Sequence, residues 1–358
     1  MDPNETYPGL PSVTRRVVLK AAGAVAIGGA LEIAWVRGTR VVRAQSVPAQ
    51  YSVATIGVLK GDDGSSAYAI NANGDVVGVS LNSASSSSRS TIYRAGKLSD
   101  LYGKDAQPSV SWSINKAGHV VGFTTGDPAG SSAVLWDGKK AKVLPTLGGE
   151  TSQALGINDA DVAVGASSAA PGADPQACRW EKGVVTALPV DPGVSVAIDI
   201  NAKGQIVGSN ALSHAVLWDN GDATDLGTLG GDVSLARTIN ASGKIAGHSA
   251  TVSGVPFGTP GTHAFLWNQG AMTDLGSLPI GDLSFAWDIN GHGVVAGTSV
   301  GAAVIWQDGA IVNLNDLIPA DSGWVLTGAY GINEAGQIAG TGQRKGKNRG
   351  FLLTPIKP

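Results

Sequence analysis

The sequence predicts an all-β fold, a seven-bladed β-propeller of four-stranded blades, and three observations carry that prediction. Glycine is abundant, 51 of 358 residues, while charged residues make up only 15%, the balance of a chain built from short strands and tight turns. One unit recurs seven times, with an Asn at 71, 115, 158, 201, 240, 290 and 333 and spacings of 44, 43, 43, 39, 50 and 43 residues. The last unit stops one strand short, and a matching strand stands spare ahead of the first. A period near 43 that holds four strands is that of a propeller blade, whereas a parallel β-solenoid repeats at roughly half that length.

Each element of the unit has its own reason. The unit reads S-x-A-x-x-I-N-x-x-G-x-V-V-G, a variable loop, H-A-x-L-W-x-x-G, then D-L-G-x-L-G-G-D. The first strand ends at Ile70, Ile114, Ile157, Ile200, Ile239, Ile289 and Ile332. Three positions earlier it carries a small residue, Ala67, Ser111, Ala154, Ala197, Ala236, Ala286 or Ala329. Small side chains allow close approach, so this strand is expected at the axis. The Asn-x-x-Gly turn that follows uses Asn to cap its own backbone and Gly to take positive φ. Asp161 replaces that Gly in the third copy, and Asp tolerates the same conformation.

The second strand ends at Gly78, Gly122, Gly165, Gly208, Gly247, Gly297 or Gly340. The third ends in Trp136, Trp180, Trp218, Trp267 and Trp306, with Arg94 and Leu353 standing in the first and last copies; these tryptophans are expected to pack between blades. The fourth is the D-L-G-x-L segment. The spare strand Val53-Ala54-Thr55-Ile56-Gly57-Val58-Leu59 matches Ala223-Thr224-Asp225-Leu226-Gly227-Thr228-Leu229. It should therefore complete the last blade, closing the ring and removing an open sheet edge.

Residues 1–44 read as an export address and residues 45–358 as the single propeller domain. Thr14-Arg15-Arg16-Val17-Val18-Leu19-Lys20 resembles the twin-arginine motif, with Val18 where Phe is usual. A Gly-rich apolar run at 21–34 and the basic residues Arg37, Arg40 and Arg43 lead to Val42-Arg43-Ala44, a cleavage-site pattern. The run is short and broken by Glu32, unlike a membrane span of about 20 strongly apolar residues. Cleavage after Ala44 leaves 25 acidic against 19 basic residues, a net charge near −6. That offers no basic footprint for nucleic acid. The single Cys178 excludes an intramolecular disulfide framework and a Cys-based zinc site.

The segments His214-Ala215-Val216-Leu217-Trp218, His263-Ala264-Phe265-Leu266-Trp267 and Asp225-Leu226-Gly227-Thr228-Leu229-Gly230-Gly231 resemble the HAF family of extracellular repeats. The resemblance runs from residue 51 to about 354. It implies export, to the periplasm, the cell surface or the medium, and a repeat fold. It implies no reaction.

Candidate sites fall in four groups. The irregular loops 82–90, 127–132, 169–176, 250–262 and 343–349 all belong on one face, opposite the regular turns, and variable loops on a rigid frame are where binding resides. The five histidines lack metal-ligand spacing; His214 and His263 are expected to bond backbone, and Cys178, standing where Val134 and Val216 stand, is expected to be a small buried hydrophobe. Acids recur before the first strand at Asp63, Asp105, Glu150, Asp191, Asp232, Asp282 and Asp321. They suit turn chemistry, or else an acidic rim that would attract calcium.

The fourth group departs from the repeat on the central strands: Trp112, Asp199, Arg237, Trp287 and Asp288. A buried Arg237 needs a partner, which Asp199 or Asp288 would supply, and aromatic platforms beside a charged pair suit a sugar or uronate. The sequence holds no cofactor-ligand pattern. The leading expectation is an exported binding module for a glycan or protein of the cell envelope. The alternative is a carbohydrate-active enzyme, a polysaccharide lyase or glycoside hydrolase with an axial site, which rests on fold analogy.

Overall fold

The computed structural model describes residues 50–103, 107–127, 130–138, 140–189 and 193–356, with the backbone of a hairpin formed by Glu32–Val36 and Thr39–Arg43. Arg15 and Arg16 of the export motif, and the acids Asp105 and Asp191, lie outside the described residues.

Seven antiparallel four-stranded sheets follow one another around a ring. Blade 1 consists of Gly64–Ile70, Val76–Asn82, Ser87–Arg94 and Lys97–Asp100. Blades 2 to 6 begin with Ser109–Ile114, Ser152–Ile157, Val196–Ile200, Ser234–Ile239 and Ser284–Ile289. Blade 7 contributes Trp324–Ile332, Ile338–Arg344 and Lys347–Pro355, and takes its fourth strand from Tyr51–Thr55. That strand pairs antiparallel, Tyr51 opposite Pro355 and Thr55 opposite Phe351. The ring thus closes as the sequence predicts, by a ladder between its two ends.

The first strands lie innermost, and residues from all seven surround one axial depression. Each carries a β-bulge, at Tyr68, Trp112, Leu155, Ile198, Arg237, Trp287 and Tyr330, where the register with the second strand slips. A bulge re-aims one side chain and bends the strand. Here it also brings the inner backbone over the second strand. A Cβ on Gly78, Gly122, Gly165, Gly208, Gly247, Gly297 or Gly340 would fall on the carbonyl oxygen of Ser66, Val110, Gln153, Val196, Leu235, Phe285 or Gly328. Close backbone approach, not turn conformation, is why glycine recurs there.

Two hydrogen-bonded belts tie blade to blade. Each repeat Asn accepts from its own turn through Oδ1, as Asn240 does from Ser242 N and Lys244 N. Its Nδ2 donates to the backbone carbonyl of the next Asn: Asn71 to Asn115, Asn115 to Asn158, Asn158 to Asn201, Asn201 to Asn240, Asn240 to Asn290, Asn290 to Asn333. Asn333 donates to Asn71 at 3.1 Å and completes the circle. A second belt uses the first-strand serines. Ser65, Ser109, Ser152, Ser195, Ser234 and Ser284 accept an N–H from the third strand of the preceding blade. At roughly 0.5–1.5 kcal/mol net for each bond, the belts hold together a ring that contains no disulfide.

Apolar packing fills the spaces between blades. Val121 and Ala133 of blade 2 cluster with Ala154, Ala163, Cys178 and Trp180 of blade 3. Val77 of blade 1 clusters with Val120, Val134 and Trp136 of blade 2. The Trp180 and Trp218 indoles donate to the carbonyls of Pro145 and Pro189 at 2.7 and 2.8 Å. Cys178 is fully buried, and burial pushes its thiol pKa up, so it acts as the packed hydrophobe the sequence suggests.

Candidate functional site: the axis and the loop face

On the turn face the axis opens into a depression of about 290 Å³, lined by six of the first-strand isoleucines, five of the belt asparagines, Lys116, Asp159 and Glu334. The Asn carboxamides on its wall are already committed to the belt.

On the loop side of the isoleucines lies the tier that holds two of the predicted residues, Asp199 and Asp288. Asp199 accepts from Ile200 N at 2.8 Å and, across the blade gap, from Ile239 N at 2.9 Å. Asp288 accepts from Ile289 N at 2.8 Å and from Ile332 N of blade 7 at 2.7 Å. Between them Thr238 donates its hydroxyl to Asp288 Oδ1 at 3.1 Å and lies against Asp199 as well. Burial raises the pKa of both acids, and the charge of Asp199 adds to the rise at Asp288, which reaches about 7. Every carboxylate oxygen of the pair serves as a clamp between inner strand edges.

The next tier is made by the bulged residues. Trp287 and Tyr330 meet at 5.5 Å between ring centroids, Tyr330 and Tyr68 at 6.2 Å, Tyr68 and Trp112 at 5.2 Å. The result is an arc of four partly buried rings over blades 6, 7, 1 and 2. The Arg237 guanidinium covers the open end, 4.6 Å from the Trp287 centroid, a cation–π contact. The structure therefore brings Arg237 and Trp287 together and places Trp112 at the far end of the arc. The two acids sit one tier away with backbone N–H groups as partners.

The sequence sets His248 at a turn or strand end, but it lies within the second strand of blade 5, Ile245–Ala250. It is fully buried, packed 4.8 Å from Phe257, 5.0 Å from Phe285 and 5.8 Å from Trp287. Burial, and then the Arg237 charge, holds its pKa well below the usual imidazole value, so it is neutral at pH 7. Its trace in the sequence is weak, because the same position holds Val79 or Ala166 in some copies and the equally bulky Phe123 in the second.

His214 and His263 bond carboxylates, not backbone. His214 Nδ1 pairs with Asp225 at 2.9 Å, and His263 pairs with Asp274 at 2.8 Å and Asp282 at 2.6 Å. The hairpin register between third and fourth strands, Val216 opposite Asp225 and Phe265 opposite Asp274, sets each acid beside its histidine. Three of the recurrent acids tie one loop to another, Asp63 and Asp232 across 20 and 22 residues and Asp282 through His263. Asp63 accepts from Ser83 N and Oγ, and Asp232 from Gly254 N, bonds that lower both pKa values. Among the described residues no group of three or more His, Cys, Asp or Glu is placed to hold a metal ion.

The loop face carries most of the large apolar side chains that are exposed: Val194, Leu212, Val252, Phe257, Ile280 and Val325. Five of these six belong to the loops of blades 4 to 6. Basic residues of this face gather across the ring, at Lys60, Arg344, Lys345, Lys347 and Arg349.

No protein-family model matches the chain, and no curated protein matches its sequence. Solved structures share the fold. "YCF48 bound to D1 peptide" is similar over 87% of this chain and 98% of its own, at 14% identity and a TM-score of 0.51. The extracellular domain of the one component system BT4673 from B. thetaiotaomicron is similar over 86% of this chain and 40% of its own, at 8% identity and a TM-score of 0.51. No helix among the described residues is long and apolar enough to cross a membrane.

Proposed function

We propose that the chain is an exported propeller of the HAF repeat type that acts as a binding module in the cell envelope or outside the cell, its ligand a protein or a glycan. The observation that carries this reading is the state of the axis. A glycosidase needs two carboxyl groups free to face substrate, and the oxygens of Asp199 and Asp288 are engaged by Ile200, Ile239, Ile289 and Ile332 N–H groups and the Thr238 hydroxyl. The blades differ most in their loops, which is where a rigid frame displays its specificity. That a propeller of similar fold is described as bound to a peptide favours a polypeptide within that pair of ligand classes.

The test is binding of the chain to an immobilised glycan panel and a peptide array, each with and without calcium, followed by product analysis of any glycan retained. Retention of a peptide, or of a glycan that is not shortened, is the expected result. Depolymerisation or unsaturated ends on a retained glycan would overturn the reading in favour of a lyase or hydrolase.

A further inference from the structure

The loops of blades 4 to 6 combine three properties. Val194, Leu212, Val252 and Ile280 are 51–64% exposed, aliphatic, and successive around the ring. The loops that carry them are interlocked. Gly193 packs against Ala211, Gly230 and Gly231 against the Thr251 and Ala250 carbonyls, and Gly281 against Val300. Gly261 N also donates to Asp282 O at 2.8 Å. The described loops of this face between residues 168 and 323 hold Asp174, Asp232, Asp282, Asp316 and Asp321 and neither lysine nor arginine.

We propose that this sector docks a polypeptide segment bearing basic residues beside apolar ones, an inference that rests on the binding role above and names its partner's chemistry. Exposed aliphatic groups rimmed by charge mark an interaction surface. They suit Leu-like anchors better than a sugar, which stacks on flat aromatic faces. The acids set the sign of the partner: a cationic segment meets complementary potential, while an anionic polymer or lipid surface is repelled. Interlocked loops add little ordering cost on binding.

Three synthetic peptides of equal length test it by fluorescence anisotropy against the full chain: alternating Leu and Lys, the same with Ser for Leu, and the same with Glu for Lys. The Leu/Lys peptide should bind at least ~10-fold more tightly than either other, since losing one anchor costs about 1.4 kcal/mol or more. The double variant Leu212→Ser/Ile280→Ser should weaken that binding ~10-fold by the same reckoning. Val184→Ser, on the outermost strand of blade 3, should leave it unchanged. All three altered positions are exposed, and an unchanged melting temperature verifies the fold. Equal binding of the three peptides, or parental binding by the double variant, refutes the docking sector. Preference for the Glu peptide refutes the partner's charge but leaves a binding module. If no peptide binds while the glycan panel gives a hit, this inference fails and the binding role survives.

Discussion

Replacing Asn240 tests whether the asparagine belt, and not the turn alone, accounts for the recurrent Asn. Asn240→Ala removes the Nδ2 bond to Asn290 O at 3.0 Å, the two turn bonds that Oδ1 accepts from Ser242 N and Lys244 N, and a further one that it accepts from Ser242 Oγ at 2.8 Å. The Asn290 carbonyl keeps a second donor, Gly293 N, so no acceptor is stranded. Four lost bonds at about 1 kcal/mol each give about 4 kcal/mol. At about 2 °C per kcal/mol, the lower end for a domain somewhat above 250 residues, the melting temperature falls by about 8 °C. Asn240→Asp separates belt from turn. It keeps both turn bonds, yet sets a carboxylate oxygen against the Asn290 carbonyl at neutral pH. Its pKa should rise, so the loss is present above that pKa and shrinks as pH falls and the protonated carboxyl donates again. Differential scanning calorimetry of parent, Ala and Asp variants at pH 4.5 and 7.5 provides the comparison. If the Asp variant matches the parent at pH 7.5, the belt contributes nothing and the Asn serves its turn alone.

Other perturbations probe the remaining devices. Gly208→Ala forces a Cβ onto the Val196 carbonyl and should lower the urea midpoint by the equivalent of 1–3 kcal/mol or more; an unchanged midpoint would mean that the bulge relaxes freely. Deleting Tyr51–Thr55 leaves Lys347–Pro355 as an open edge, so light scattering should report association and calorimetry a broadened transition. Asp288, raised to about 7 by burial and then by the Asp199 charge, takes up a proton on folding between about pH 4 and 7, and stability falls as pH rises through that window. Asp288→Asn should flatten the melting-temperature profile over the same range, measured beside His263→Gln, because the raised His263 pKa also lowers stability as pH rises; a slope identical to the parent's would refute the clamp.

The ring was legible because repetition converts weak local signals into a strong one. A single Asn-x-x-Gly is only a turn, but six of them and one Asn-x-x-Asp near a 43-residue period fix a blade, and the surplus strand read at residues 53–59, observed at Tyr51–Thr55, fixes the closure. What stayed hidden depends on ring geometry. That Asn333 Nδ2 reaches Asn71 across 262 residues follows only once the inner strands stand at a common radius. The glycine of the second strand recurs because of a bulge that leaves no periodic trace. Arg237 stood out as a misfit and invited a carboxylate partner by simple charge matching. The bulge aims it instead over Trp287, and the acids one tier away turn to the exposed inner-edge N–H groups.

Four of the five departures from the repeat share one sector, Trp112 of blade 2 being the fifth. Asp199 belongs to blade 4, Arg237 and Thr238 to blade 5, Trp287 and Asp288 to blade 6, and the same three blades present Leu212, Val252 and Ile280 on the loop face. A physical path joins the two levels. Phe257, in the long exposed loop of blade 5, lies 4.8 Å from His248, which is 5.8 Å from Trp287, over which Arg237 stands at 4.6 Å. The aromatic packing that replaces the usual small residues therefore supports the longest loop of the face from below. A neutral, fully buried His248 suits that role, since a charge there would face Arg237 without solvent. Carboxylate clamps on Ile239 N and Ile332 N then stiffen the inner edges of blades 4 to 7 beneath the same loops. The sector joins exposed loops to packed rings and clamped inner edges beneath them, an arrangement that suits a docking surface and not a catalytic pair of free carboxylates.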